Sequence, residues 1–245
     1  GYIGGENTDS IFVMLLKNNK VYIIHIPRDL IVKIDDDLFK INSLYLLKKT
    51  DSLLSEVSKL TGLNIKKYFV FDLYIFKKTI DYLGGLEVDL KYPVTDAVTG
   101  YTLMPGKRKF SSDWIEFIVR SRYYPQGDFE RMKNQFIILT SLKERLSNAS
   151  EYELLKLFNL ILQSKNHYET NLTYSDILKI IKQIKKSEFK EILIDLNSNL
   201  WISDYFDIKL NSYSYFNVSG LIPKAGIGNY EEIKKEIQKK ITQEY

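Results

Sequence analysis

Arg120–Gln135 reads RSRYYPQGDFERMKNQ, and the reading of the fold starts from this stretch. Ile118 and Val119 just before it are β-branched, so Ile118–Arg122 (IVRSR) predicts a short strand. Alternate strand residues share a face, so Arg120 and Arg122 are expected to project together. Pro125 and Gly127 predict a turn. Asp128 is the expected N-cap of a helix running to about Leu146. On that helix Asp128, Arg131 and Gln135 fall at i, i+3 and i+7, which is one face. Met132, Phe136, Leu139 and Leu146 form the apolar stripe expected to pack inward.

Strand, turn and helix would bring guanidinium groups together from two elements. A guanidinium is a rigid planar fork that matches phosphate oxygens and stays charged at any working pH. A helix N-terminus beside it adds backbone N–H donors and the positive end of a dipole. Such a segment suits a phosphate or pyrophosphate; the plain alternative is a solvated basic face. The arginine count favours the first. Of 35 basic residues only six are Arg (28, 108, 120, 122, 131 and 145), and three of those six sit in this segment. Where charge alone is needed the chain uses Lys, so its arginines point to geometry.

The 245 residues suffice for one large domain or two small ones. A hydrophobic content of 44% and a charged content of 27% place the chain among ordinary globular proteins. The net charge of +4 comes from Lys spread along the chain, and neither a basic helix nor an aromatic RNA-binding signature is present, so nucleic acid is not an expected partner. With no Cys, disulfides and thiolate chemistry are excluded. Two histidines, His25 and His167, are too few for a His-rich metal site. No G-x-S-x-G elbow supports a serine hydrolase. No apolar run approaches the ~18–20 residues that span a bilayer. The opening GYIGGENTDS resembles the middle of a loop and predicts a segment upstream of Gly1.

Asp9–Leu16 and Val21–Ile26 predict strands joined by a turn at Lys17–Lys20 (KNNK). Pro27 ends the second strand and places Arg28 and Asp29 at the rim of a sheet, a frequent position for sites. Leu30–Ile34 is extended, and Lys40-Ile41-Asn42 precedes a helical run. A helix over Ser52–Leu60 closes at Gly62. Tyr68–Asp72 and Leu86–Leu90 predict strands around a helix at Tyr74–Leu83, and Lys91–Lys109 reads as a long loop or irregular hairpin before a helix at Ser112–Phe117. Thr173 with Asp176 resembles a capping box ahead of Ile177–Ile184. Phe189–Leu196, Trp201–Leu210 and Tyr213–Val218 predict strands, and Asn229 opens a last amphipathic helix with Ile233, Ile237 and Ile241 on one stripe. The expected fold is α/β: a single domain with a central mixed, largely antiparallel sheet flanked by helices. Residues 1–146 would form the motif-bearing core, with 147–245 packing on it.

In order along the chain, Asp9-Ser10, IPRD at 26–29, KIN at 40–42, DYLGGLEV at 81–88, RSR at 120–122, GDFERMKNQ at 127–135 and TNLT at 170–173 resemble the LytR–CpsA–Psr family. The series covers roughly Thr8–Leu178, and its most specific part is IPRD, then RSR, then D-x-x-R-x-x-x-Q. The resemblance implies a membrane-anchored, extracytoplasmic phosphotransferase. Such an enzyme would move a glycan polymer from a polyprenyl-pyrophosphate carrier onto peptidoglycan with Mg²⁺, with pyrophosphatase activity as a side reaction. Carried over by motif, Arg28, Arg120, Arg122 and Arg131 would clamp the pyrophosphate, and Gln135 would hydrogen-bond it. Lys40 would touch a phosphate, and Asp9 would hold the metal. Asp29 and Asp128 would orient arginines or act as base. Phe69, Phe71, Tyr74, Phe76 and Phe136 are candidates for an apolar trough. Phosphoryl transfer asks for positioning and charge neutralisation, which arginine forks and Mg²⁺ supply.

This chain departs from the family pattern at Asn7, where Arg is usual, at His25 before IPRD, at Leu30 after it, and at Leu46–Lys49 after KIN, where a Gly pair is usual. Those departures keep a second class open: a paralogue that grips polyprenyl phosphate or an acidic wall polymer without transferring it.

Overall fold

The computed structural model describes residues 8–96, 99–121, 127–211 and 214–243. It opens on a hairpin of β1 (Ile11–Lys17) and β2 (Lys20–Ile26), whose turn residues Asn18 and Asn19 are both left-handed, at φ 53° and 56°. A two-residue hairpin turn of type I′ has two such residues, and Asn tolerates that conformation better than most. A second hairpin, β3 (Ile31–Ile34) and β4 (Asp37–Lys40), leads into α1 (Ser43–Leu46) and α2 (Thr50–Thr61). Gly62 ends α2 at φ 71°, as its position predicts. After β5 (Phe69–Phe71), the Asp72 side chain accepts from the Ile75 N–H and caps α3 (Leu73–Tyr82).

Next come β6 (Leu86–Leu90), the short β7 (Val94–Thr95) and β8 (Thr102–Leu103), and β9 (Gly106–Phe110), which pairs with β6. Helices α4 (Ser112–Arg120), α5 (Asp128–Ser147) and α6 (Glu151–Gln163) follow. Then come β10 (Tyr168–Thr170), α7 (Tyr174–Lys186) and β11 (Glu188–Ile192). A long ribbon of β12 (Trp201–Asn211) and β13 (Ser214–Pro223) precedes α8 (Glu231–Thr242). The class is α/β, as expected. Among the described residues the strands form one three-stranded ladder, β1–β2–β11, and five two-stranded ones.

The elements pack as two compact units: Gly1–Leu15, Tyr22–Lys67 and Lys190–Tyr245 form the first, Leu16–Val21 and Tyr68–Phe189 the second. In the first, β2 is the middle strand of its ladder and is buried from Val21 to Ile26, the pattern of a strand covered on both faces. The Ile233, Ile237 and Ile241 stripe of α8 is buried as its four-residue spacing predicts. Beside it the buried Tyr230 donates to Glu56 Oε2 at 3.1 Å. Burial, with the Glu56 carboxylate adjacent, pushes the Tyr230 phenol well above its ordinary pKa. In the second unit Leu86, Val88 and Leu90 alternate inward on β6 against Ile80, Ile115, Ile118 and Ile138.

Three sequence expectations are corrected. Ile118–Arg120 is the last turn of α4, not a strand: Ile115 and Ile118, three apart, are both fully buried, and that packing overrides the β-propensity of IVRSR. Helix α6 was not expected, yet Ser150 and Glu153 form a full capping box at its start. The strand predicted over Phe189–Leu196 stops at Ile192, and Asp195 instead caps a single 3₁₀ turn at Leu196–Ser198. Among the described residues no helix is long and apolar enough to cross a membrane.

Candidate functional site

In the first unit the IPRD segment leaves the buried end of β2 and is fixed by backbone contacts from two other parts of the chain, Asn42 and Leu221. The Arg28 carbonyl accepts from Asn42 N–H at 3.3 Å, and Leu30 N–H donates to Pro27 at 3.2 Å. The Asp29 carbonyl accepts from Leu221 N–H at 2.9 Å, beside a parallel bridge between Leu30 and Leu221. Thr8 donates from both its N–H and its hydroxyl to the Asn42 carbonyl, each at 3.1 Å, which places Asp9 next to KIN.

On this frame the charges form a relay. Arg28 Nη1 lies 2.6 Å from Asp9 Oδ1, and Arg28 Nε lies 3.7 Å from Asp29 Oδ2. Lys40 Nζ lies 2.7 Å from Asp29 Oδ1. The Arg28 side chain is 17% exposed and that of Asp9 55%, so the guanidinium is screened while the outer carboxylate faces water. Four expected residues, Asp9, Arg28, Asp29 and Lys40, are therefore brought together. Two cations are held by two carboxylates, all half-buried or exposed, and these pairs fix how Arg28 and Lys40 are oriented.

In the second unit Arg120 lies on α4, 65% exposed, with Nη1 2.8 Å from Glu116 Oε1. It does not project from a strand beside Arg122, which lies outside the described residues. Glu116 also takes Lys77 Nζ at 2.9 Å. Burial acts to raise the Glu116 carboxyl, but Lys77 and Arg120 outweigh it and hold it below the usual range. The N-cap of α5 is Gly127, and Asp128 is the first helical residue, without a side-chain cap on the helix. Asp128 instead turns to Arg131, Oδ1 to Nη2 at 2.5 Å. Arg131 is only 2% exposed, so the face expected to be polar faces inward with Met132 and Asn134. A buried guanidinium needs a carboxylate at close range, and the D-x-x-R spacing supplies it. Gln135 Nε2 donates to the Val119 carbonyl at 3.3 Å, tying α5 to the end of α4.

Of the apolar-trough candidates, Phe69 and Tyr74 are exposed, while Phe71, Phe76 and Phe136 are half-buried. Phe69 meets Phe71 and Tyr168 at 5.7 Å each. Each histidine has a carboxylate beside it: His25 Nε2 lies 3.2 Å from Glu191, and His167 Nδ1 lies 2.6 Å from the buried Asp72. Asn42 was not singled out from sequence, yet it is 4% exposed with an Oδ1 that has no hydrogen-bond partner among the described residues.

No group of three or more His, Cys, Asp or Glu among the described residues could cage a metal. Mg²⁺ is usually bound through one or two carboxylates plus substrate phosphates and water. The exposed carboxylate of Asp9, beside Arg28, fits that mode and not an all-protein cage.

The sequence model of the LytR_cpsA_psr family matches residues 3–225. The "Polyisoprenyl-teichoic acid--peptidoglycan teichoic acid transferase TagV" of Bacillus subtilis (strain 168) is 29% identical over 243 residues, covering 94% of this chain and 59% of the relative. "Regulatory protein MsrR" of Staphylococcus aureus (strain COL) is 29% identical over 150 residues, covering 59% of this chain and 46% of the relative. The chain thus spans about half the length of the curated relatives it matches. Among solved structures, B. subtilis TagV superposes with TM-score 0.65 at 24% identity, over 96% of this chain and 89% of that one. "TagT bound to LIIa-WTA" superposes with TM-score 0.68 at 16% identity, over 96% and 85%. With the family pattern matched over nearly its whole length and the fold shared, the chain belongs to the LytR–CpsA–Psr family.

Proposed function

We propose that this protein is a glycan phosphotransferase that moves a polyprenyl-pyrophosphate-linked polymer, of teichoic acid or capsule type, onto peptidoglycan. One observation carries the reading: Arg28, held between Asp9 and Asp29, with Lys40 on the far side of Asp29. Membership of the family and the teichoic acid transferase activity named for the relative TagV support it. In the transfer, an acceptor hydroxyl oxygen forms a bond to the glycan-side phosphorus. The bond from that phosphorus to the bridging oxygen breaks, polyprenyl phosphate leaves, and the hydroxyl proton passes to a base.

Each group of the chain has a part in this reading. Arg28 and Lys40 bind non-bridging oxygens and offset the charge that grows on the leaving phosphate. Arg120, Arg122, Arg131 and Gln135 would complete the grip. Asp29 keeps Arg28 and Lys40 oriented, and Asp128 does so for Arg131. Asp9 would hold Mg²⁺, which when bound supplies charge neutralisation at the phosphates. Attachment to the outer face of the cell membrane through a segment upstream of Gly1 belongs to the same proposal. The test is incubation of the chain, extended at its N-terminus, with a polyprenyl-pyrophosphate-linked glycan and a peptidoglycan acceptor. Mg²⁺-dependent formation of a phosphodiester conjugate is the expected result. Tight binding of the carrier with no conjugate and no polyprenyl phosphate released would overturn transfer in favour of a binding role, a reading to which the engagement of Asp9 with Arg28 lends support.

A further inference from the structure

Helix α7 is unusual in the second unit because none of its thirteen residues is buried. Ile177, Ile180, Ile181 and Ile184 are half-buried, so one stripe is turned toward the protein. The outward stripe is not simply polar. Tyr174 is 59% exposed and Leu178, one turn on, 39%. On α6, Leu155 (59% exposed) and Leu162 (39%) flank Phe158 at i−3 and i+4. The Phe158 and Tyr174 rings meet edge to face at 5.6 Å. That contact joins the two stripes, so these five side chains form one continuous apolar strip across both helices.

The charges around the strip that have no ion-pair partner are mostly lysine. Continuing the α7 stripe, Lys182 lies at i+4 from Leu178 and Lys186 at i+8, with Lys179 and Lys185 beside them. None of these four lysines has an ion pair among the described residues. The nearby carboxylates are otherwise engaged. Asp176 closes the α7 capping box, Glu153 accepts from Ser150 and pairs with Arg145, and Glu169 accepts from Tyr68. Only Glu151, at the start of α6, has no such partner. Leucine and tyrosine rimmed by unpaired lysine is the pattern of a helix that lies in a bilayer interface, with apolar groups in the acyl boundary and ammonium groups at anionic headgroups.

We infer that the α6–α7 face is a docking surface for an anionic lipid bilayer. The surface is separate from the phosphotransferase reading and stands without it. Co-flotation of the 245-residue chain with vesicles of equal parts phosphatidylglycerol and phosphatidylcholine, at about 0.15 M salt, tests it. Binding to these vesicles and not to pure phosphatidylcholine is expected. One lysine at an anionic surface is worth about fivefold in partitioning. Lys182→Gln/Lys186→Gln should therefore lower partitioning roughly 30-fold, and Leu155→Ser/Leu178→Ser should lower it with every charge kept. The pair Lys33→Gln/Lys239→Gln removes the same charge elsewhere and should have little effect; thermal melts confirm that each variant folds. No binding to the anionic vesicles, equal binding to neutral ones, or an equal loss from the Lys33/Lys239 pair would overturn the inference. So would retention of full binding by the Leu155/Leu178 pair, since a soluble acidic polymer would then serve as well as a bilayer.

Discussion

A methyl group at Gly220 would test how tightly the ribbon braces the IPRD segment. A Cβ there collides with Ile31 Cδ1 and falls 2.5 Å from Ile31 Cγ1 and 3.2 Å from Phe206 Cδ2. Ile31 is fully buried, so its side chain has no open space to swing into. Two responses are available to Gly220→Ala. If the core absorbs the clash, overpacking costs about 1–3 kcal/mol. If β13 moves away from β3, the Leu221 N–H to Asp29 carbonyl bond is lost as well, about 1 kcal/mol more. A total of roughly 2–4 kcal/mol lowers the melting temperature by about 5–10 °C for a chain of this size. Ile31→Ala alone removes both Cδ1 and Cγ1 and costs about 2–5 kcal/mol. In the double variant both close Ile31 contacts are gone, so the two losses should fall short of their sum by about 1 kcal/mol. Urea unfolding of the four proteins, followed by circular dichroism, measures this coupling. Strict additivity, or a Gly220→Ala variant as stable as the parent, would refute the close approach of β13 to β3.

The acid stability of the second unit should depend on Glu116. Its pKa is depressed on folding, so its contribution is complete above the ordinary carboxylate range and is lost as pH falls through the lowered value. Glu116→Gln should cost about 1 kcal/mol near neutrality and nothing once the pH is below the lowered value and the folded and unfolded carboxyls are both protonated, as read from melting temperature against pH. A constant gap across that range would contradict the ion-pair account. Asp72→Ala removes the α3 cap and the partner of His167 together, and should cost about 2 kcal/mol in urea unfolding. Asp72→Asn, which can still cap, should cost less; equal losses would mean that the cap is unimportant. Arg122→Lys should impair turnover nearly as much as Arg122→Ala, by about 10²–10³, because an ammonium cannot reproduce a two-pronged bond to phosphate. Full activity in both variants would return Arg122 to the solvated surface.

Local punctuation was the most legible part of the fold. KNNK, Gly62, the Thr173–Asp176 box and the alternation of Leu86–Leu90 each carry their cause within a few residues, and each appears as expected. The same kind of signal is present at Ser150–Glu153, where the S-x-x-E spacing marks the start of α6, a helix absent from the sequence expectations. IVRSR misled for a different reason. Its β-branched residues fit a strand locally, and only the burial of Ile115 and Ile118 against β6 decides for a helix. Arg131, expected on a polar helix face with Asp128 and Gln135, is instead 2% exposed. The carboxylate three residues earlier is what allows the guanidinium to be buried. In the site itself, IPRD and KIN were legible as separate motifs. Their joining through the Asn42–Arg28 and Lys40–Asp29 bonds, and the third brace from Leu221, depend on long-range pairing that no local pattern encodes.

Turnover of a polyprenyl-pyrophosphate-linked glycan by Arg28→Lys, set beside Arg28→Ala and the parent chain, tests the central claim most directly. Asp9 and Asp29 hold Arg28 in one orientation, and lysine at that place keeps the charge but not the fork. With folding checked by thermal melt, both variants are predicted to lose about 10²–10³ in rate. Near-parental turnover by Arg28→Lys would contradict the account, since the site would then need only positive potential at the end of β2 and not a guanidinium held in place.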